Sequence, residues 1–291
     1  TATDSSGNSS SQSHKITFVD SVVPEISISD KILEASISGG ANISLEFPVI
    51  SDIQNTTITN DAPTVFPLGE TIVTWTATDS SGNSASATQT ITVVDTSAPI
   101  LTTPQNIVHD AVNVETLLEI GLATVDDIID DTPTVTNDAP TVFPLGETIV
   151  TWTATDKFGN MSSSLQTISV QTCGNDPLSY NLIIGSEDDD ILIGTTLSDL
   201  IFANSGDDII SGDKGNDCII AGDGDDIIFG NEGNDNISGQ GGNDIIKGQS
   251  GEDFIFGGFG LDVIDGGEDI DTCKIIDEPS YDIIIKCESN E

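Results

Sequence analysis

Arginine is absent from this chain, and its seven lysines face 49 acidic residues, for a net charge of −42. So few cations cannot build a basic face, which excludes nucleic acid as a partner. Anionic membrane surfaces are excluded on the same ground unless a divalent cation bridges them. No apolar run approaches the roughly eighteen residues of a membrane-crossing helix, so there is no transmembrane segment. Helical periodicity is almost missing, and the fold must be sought among strands. Histidine is limited to His14 and His109, neither of which has an identifiable catalytic partner. H-E-x-x-H, G-x-S-x-G, Walker and dinucleotide-loop patterns are all lacking, so the chain is expected not to be an enzyme. The first residue is Thr1 rather than Met, so the lack of a signal peptide carries little weight.

What the chain does have is period. Ten nonapeptides run without a gap from Gly185 to Lys274, and the sixth residue of each is aspartate: Asp190, Asp199, Asp208, Asp217, Asp226, Asp235, Asp244, Asp253, Asp262 and Asp271. An aliphatic residue follows two places later in all but the last unit, where Cys273 stands. The clearest units, Gly212 to Ile220, Ala221 to Phe229, Gly239 to Lys247 and Gly257 to Asp265, approximate G-G-x-G-x-D-x-U-x. A disordered acidic linker would not keep an aliphatic in step with the aspartate, because that column is a burial signal.

Nine residues divide into a turn, in which glycine tolerates positive φ, and a short strand whose middle side chain points inward. Two units then make one coil. Leu192, Ile201, Ile210, Ile219, Ile228, Ile237, Ile246, Ile255 and Ile264 are expected to fill a thin core between two parallel sheets. Asp190, Asp208, Asp226, Asp244 and Asp262 then stack on one side, and Asp199, Asp217, Asp235, Asp253 and Asp271 on the other. Neighbours in a column are about 4.8 Å apart, and bare carboxylates at that spacing repel by several kcal/mol. Ca²⁺ takes about six to eight oxygens, whereas Mg²⁺ is too small and too firmly hydrated for such a cage.

The pattern resembles the RTX calcium-binding repeat, a parallel β-roll. That resemblance implies aspartate ligands together with the turn carbonyls of Gly206, Gly215, Gly224, Gly233, Gly242, Gly251 and Gly260. Five turns on each side give about six to eight ions. The weakest positions are the opening coil, where Asp188 and Leu197 replace a turn glycine, and the last unit, which has Asp269 there. Residues 185–274 hold 22 acidic residues against three lysines, a net charge of −19. The roll should therefore wait for calcium at the concentrations found outside cells. Four cysteines agree with an oxidising compartment. Cys273 with Cys287 is expected to cap the roll and Cys173 with Cys218 to tie its entrance, the alternative being four free core thiols. Zinc is disfavoured by the absence of any C-x-x-C pair.

The front half repeats with a longer period. Residues 59–79, TNDAPTVFPLGETIVTWTATD, recur unchanged at 136–156. Alternating segments separated by Gly, Pro and Asn signals indicate a β-sandwich of about 75 residues, present twice. Trp75 and Trp152 are expected in its cores, with sugar stacking as the alternative. The run F-P-x-G-x-T-x-V-x-W-x-A-x-D-x-x-G-N, from Phe66 to Asn83 and from Phe143 to Asn160, is similar to the HYR family. That resemblance implies an extracellular immunoglobulin-like module used for adhesion or spacing. Thr1 to Asn8 repeats Thr76 to Asn83, so the chain is expected to open on the last hairpin of a truncated third copy. Residues 1–19 should then be disordered or pair with another edge.

The expected fold is all-β: tandem Ig-like β-sandwiches followed by a right-handed parallel β-roll of about five coils. Its segments are the partial hairpin 1–20, sandwiches at 21–95 and 96–172, a linker at 173–184, and the roll with its cap at 185–291. Sequons at Asn8, Asn42, Asn55, Asn160 and Asn236 fit a secreted glycoprotein. Asp126, Asp127, Asp130 and Asp131 read either as a solvated acidic loop, the preferred reading, or as a further Ca²⁺ site. Ile191, Ile209, Ile227, Ile245 and Val263 form an outward aliphatic ladder on one sheet of the roll. That ladder is expected to pack against the adjacent sandwich or another subunit, unless it reflects β-propensity alone. The function expected is an extracellular calcium-binding structural or adhesive protein. Its partners beyond calcium would be a cell-surface protein, a glycan or a second copy, and the alternative is the non-catalytic end of a larger secreted hydrolase.

Overall fold

The structure, a computed structural model, describes residues 1–274 and 282–290. Part of the predicted C-terminal cap, residues 275–281, lies outside the described residues. The chain is all-β. Its described residues contain no α-helix, and the one helical turn is the 3-10 turn Pro177–Ser179. They divide into two compact units, one of residues 1–100, 125–134 and 154–162, the other of 101–124, 135–153 and 163 onward.

In the first repeat, Gly69–Asp79 and Ser84–Val94 form a long antiparallel hairpin. Thr56–Asn60 flanks the hairpin on one side and Lys31–Glu34, running parallel to its neighbour, on the other. Strict alternation of Val, Trp and Ala with Thr turns one face of Gly69–Asp79 inward, since successive side chains of a strand point to opposite faces. Val73, Trp75, Ile91 and Val93 thereby meet Phe66 and Ala41 from the opposing short strands Phe66–Pro67 and Gly40–Ala41. Trp75 is fully buried, and its Nε1–H donates to Gln89 Oε1 at 3.1 Å. The second copy repeats the sheet order, with Ile107–Asp110, Met161–Gln171, Gly146–Thr155 and Thr134–Asn137 side by side. Its Trp152 is buried and donates to Gln166 at 3.0 Å. Both indoles are core groups, as expected, and neither is exposed to stack on a sugar.

The opening segment pairs with itself. Ala2–Thr3 and Ser9–Ser10 form a small exposed hairpin. Asp4 closes it by accepting the backbone N–H groups of Ser6 and Asn8, each at 2.9 Å.

Beyond the 3-10 turn the chain coils. Seven strands, from Asn181–Ile184 to Ser289–Asn290, stack into one parallel sheet, and six, from Ile191–Ile193 to Ile283–Ile285, into the other. Up to Lys274 each paired residue meets the one eighteen places on, as Ile201 does Ile219 and Ile210 does Ile228; the last strand of each sheet is offset by 20 and 17 residues instead. Asn181–Ile184 falls in the segment that reads as linker, so the sheet begins before the first nonapeptide. Ile201, Ile210, Ile219, Ile228, Ile237, Ile246, Ile255 and Ile264 are all fully buried, with Leu192 partly buried at the open end.

Both expected disulfides are formed. Cys273 and Cys287 lie 5.9 Å apart at Cα and close the C-terminal end of this core. Cys173 and Cys218, 6.1 Å apart, hold the incoming chain to the roll. Beside that second bridge it is the sheet opposite the ladder, not the ladder, that the adjacent sandwich covers. Leu200, Phe202, Cys218 and Ile220, on the sheet opposite the aliphatic ladder, are buried against Val114, Leu145, Cys173 and Tyr180. The ladder itself stays open, with Ile191 71% exposed and Ile209 42%. The physical reason is local: the first two coils offer bulky apolar side chains at both outward positions of the covered sheet, where the disulfide also tethers the chain.

Candidate metal centre

Two backbone features shape most of the nonapeptide turns. In seven of the ten the fourth residue is a glycine with positive φ, from 122° at Gly206 to 141° at Gly224, a conformation costly for any residue with a Cβ. In eight of the ten, Ala203 and Ala221 being the exceptions, a first-position glycine leaves room for the aspartate of the same unit: a Cβ at Gly239 would collide with Asp244 Oδ2 and the Gly257 carbonyl. The glycines therefore press backbone and carboxylates together.

The aspartates stack in two columns, as the period predicts. Each backbone N–H donates to Oδ1 of the aspartate one coil on, at 2.7 to 2.9 Å, from Asp190 to Asp208 and from Asp199 to Asp217 onward. This contact fixes the side chain and leaves its second oxygen. Oδ2 of Asp208, Asp217, Asp226, Asp235, Asp244, Asp253 and Asp271 is buried and accepts no hydrogen bond, while these residues are at most 2% exposed. Burying ionised oxygens unpaired costs several kcal/mol each in an ordinary interior.

The electrostatics register that cost. Burial first, and neighbouring carboxylates second, push Asp217, Asp226, Asp244 and Asp253 up to about 7 from an ordinary value of 3.8. Burial raises Asp235 to about 6, and Asp208 and Asp271 are raised by the same cause. Two parallel rows of such oxygens beside carbonyl-rich glycine turns form a hard, all-oxygen donor set. That set suits Ca²⁺ rather than a thiolate- or imidazole-seeking metal.

The opening coil differs. Asp190 Oδ2 accepts from the Ser186 N–H and hydroxyl, at 2.6 and 2.8 Å, and these bonds hold its carboxyl below the ordinary range. Asp199 accepts from the Thr195 N–H at 2.6 Å and from Asn181 Nδ2 at 2.7 Å. At the far end Asp269 occupies the fourth turn position with φ of 76°, a region that aspartate tolerates better than most residues.

The columns also run past the last nonapeptide. Asp262 N–H donates to Asp282 Oδ1, and Asp271 N–H to Glu288 Oε2, at 2.9 and 2.8 Å. Neither acceptor was picked out by the nonapeptide count, since the spacing changes from eighteen to 20 and 17 residues. A signal for Asp282 was present, because Asp282-Ile283-Ile284 repeats the D-x-U step.

The RTX calcium-binding nonapeptide repeat matches residues 184–219, 216–246 and 238–273, and the HYR domain matches residues 19–93. The chain joins an HYR domain to RTX repeats. Among curated proteins it is similar to hyalin of Lytechinus variegatus, 32% identical over 186 residues covering 58% of this chain and 35% of that protein. Hyalin of Strongylocentrotus purpuratus is 34% identical over 184 residues, covering 57% of this chain and 15% of that protein. The chain thus spans about a third or less of the length of these relatives. Among solved structures, that of Drosophila N-cadherin EC1-4 overlaps 52% of this chain and 49% of its own at 15% identity and a TM-score of 0.30. That likeness is too low to carry an argument.

Proposed function

We propose that this is an extracellular, non-catalytic structural or adhesive protein whose RTX roll folds when Ca²⁺ fills its aspartate columns. The observation that carries the proposal is the row of buried, unpartnered Oδ2 atoms from Asp208 to Asp253, with Asp271 at the end. Protein donors do not reach these atoms, and the nearest charges are of their own sign. A cation between successive turns supplies the missing partner. Asp190 and Asp199 already have donors, so the opening coil is the weakest, and the roll takes about six to eight ions centred on the middle coils. Asp282 and Glu288 extend the ligand columns into the cap.

Placement outside the cell is supported by the disulfides and by the calcium concentrations such modules need. The two sandwich copies, 21–95 and 96–172, serve as spacers or adhesive modules ahead of the roll, and the HYR match at residues 19–93 together with the similarity to hyalin supports this reading. The test is circular dichroism and small-angle scattering of the full chain at about pH 8, with and without Ca²⁺. The roll is expected to be expanded without metal and compact with it. A roll already compact at that pH without metal would overturn the proposal.

A further inference from the structure

Outside the roll, acidic side chains gather into two triads that repeat with the sandwiches. Asp95, Asp127 and Asp156 each bring a carboxylate oxygen within 4.8 Å of the others, and Asp20, Asp52 and Asp79 do the same. The positions correspond. Each triad takes one aspartate just after a final strand or its remnant (Asp20, Asp95), one from a loop of the next repeat (Asp52, Asp127), and one that opens a D-x-x-G-N hairpin (Asp79, Asp156).

A cluster of exposed carboxylates would be an ordinary solvated surface, but here Asp95, Asp156 and Asp79 are buried and Asp127, Asp20 and Asp52 partly buried. Asp95 is 8% exposed and Asp156 6%. Oδ2 of Asp95 is buried with no hydrogen-bond partner, and so is Oδ2 of Asp20 and of Asp52 in the other triad. The remaining oxygens are committed elsewhere and hold the groups in place. Asp127 Oδ1 accepts from the N–H groups of Ile129 and Asp130 at 2.8 and 2.7 Å. Asp156 Oδ1 accepts from Phe158 and Asn160 N–H, each at 2.8 Å, and its Oδ2 from Asn160 Nδ2 at 2.7 Å. The same Asn160 amide donates to the Asp95 carbonyl at 3.1 Å, as Asn83 does to that of Asp20.

The charge is not balanced by protein cations. Burial, with the charges of Asp127 and Asp156 adding to it, raises the Asp95 carboxyl above its ordinary value, against the opposing Ser97 N–H. Neither ion pair among the described residues, Lys31–Glu46 or Lys214–Glu232, involves a triad aspartate. Lys157, the nearby cation, donates to the Ile129 carbonyl at 2.5 Å, and Ser80 stands in its place in the other copy.

We propose that Asp95, Asp127 and Asp156 bind one Ca²⁺, and that Asp20, Asp52 and Asp79 bind a second in the same way. Oxygens about 2.4 Å from a common ion lie at most about 4.8 Å apart, the spread that the triads keep. Asp95 ends one repeat while Asp127 and Asp156 belong to the next, so the ion ties the end of one sandwich to loops of the following one. Calcium then stiffens the sandwich string through residues separate from those that fold the roll.

Counting bound Ca²⁺ on the full chain by native mass spectrometry tests the inference apart from the function of the roll. D52N and D127N each keep the Oδ1 that caps the loop and lose one charge. Each is expected to release one ion, the double variant two, with near-ultraviolet circular dichroism of Trp75 and Trp152 unchanged. An unchanged ion count in folded D52N and D127N overturns the proposal. Should one variant fail to fold, the other decides, because the triads are equivalent. A D217N/D235N variant reports on the roll alone: if it releases nothing, the roll reading fails, while the triads stand or fall on their own variants.

Discussion

A single aspartate in the columns has two separable duties. Oδ1 receives an N–H from the preceding coil and so sets the register, whereas Oδ2 is left for the cation. Asparagine in place of Asp226 keeps the first duty and removes the charge of the second. Asp226 borders two gaps between coils, toward Asp208 and toward Asp244. D226N is therefore expected to lose roughly two ions and to need several-fold more Ca²⁺ for folding. Asp190 borders one gap, and its Oδ2 already receives Ser186, so D190N should leave the ion count unchanged. Calorimetric Ca²⁺ titration of both variants checks the contrast, and equal losses would refute it. Asn160 shows the same economy, since its amide is engaged by Asp156 and the Asp95 carbonyl.

Among the elements, the strands of the roll are too short to stand alone, and each depends on the coil beneath it. That makes the two ends vulnerable. At the entrance, Leu200, Phe202, Cys218 and Ile220 are covered by Val114, Leu145 and Tyr180. At the exit, the fully buried Cys273 and its bond to Cys287 cover the last isoleucines. The exit loop spans 14 residues, for which chain entropy alone gives about 3 kcal/mol of stabilisation. A C273A/C287A variant is accordingly expected to lose about 3 kcal/mol in calcium-loaded denaturant unfolding. The first protection lost from amide exchange should lie at Val263–Glu268 and Thr272–Lys274. Unchanged stability would mean that the stacked coils, rather than the bridge, close this end.

At the scale of the whole molecule, proton and calcium compete for the same oxygens. In the metal-free roll Asp217, Asp226, Asp244 and Asp253 sit at about 7 and Asp235 at about 6, all raised from 3.8. A carboxyl raised by folding contributes stability that is full below its unfolded value and is lost as pH rises through its folded value. The metal-free roll should thus be most compact in acid and open as pH climbs through about 6 to 7. With calcium bound the dependence reverses, because acid removes the charges that hold the ions. Scattering and circular dichroism across that range, with and without metal, would show crossing profiles. A metal-free roll that stays expanded in mild acid would count against burial as the cause of the raised values.

The sequence alone determined the period, the isoleucine core, the aspartate columns and the sandwich strands around Trp75 and Trp152, and it pointed to both disulfides, whose closure the structure decided over free thiols. These were legible because a coil turns spatial neighbours into residues at a constant offset, and because a half-buried strand writes its orientation as alternation. The tertiary structure decided what has no constant offset. Asp282 and Glu288 join the columns only after the spacing breaks, and the covered face of the roll depends on which side chains its entrance meets. Asp127, which with its sequence neighbours reads either as a solvated loop or as a Ca²⁺ site, stands beside Asp95 and Asp156, residues no spacing joins to it. Loops of a sandwich meet through the packing of its sheets, and that packing leaves no periodic trace in the chain.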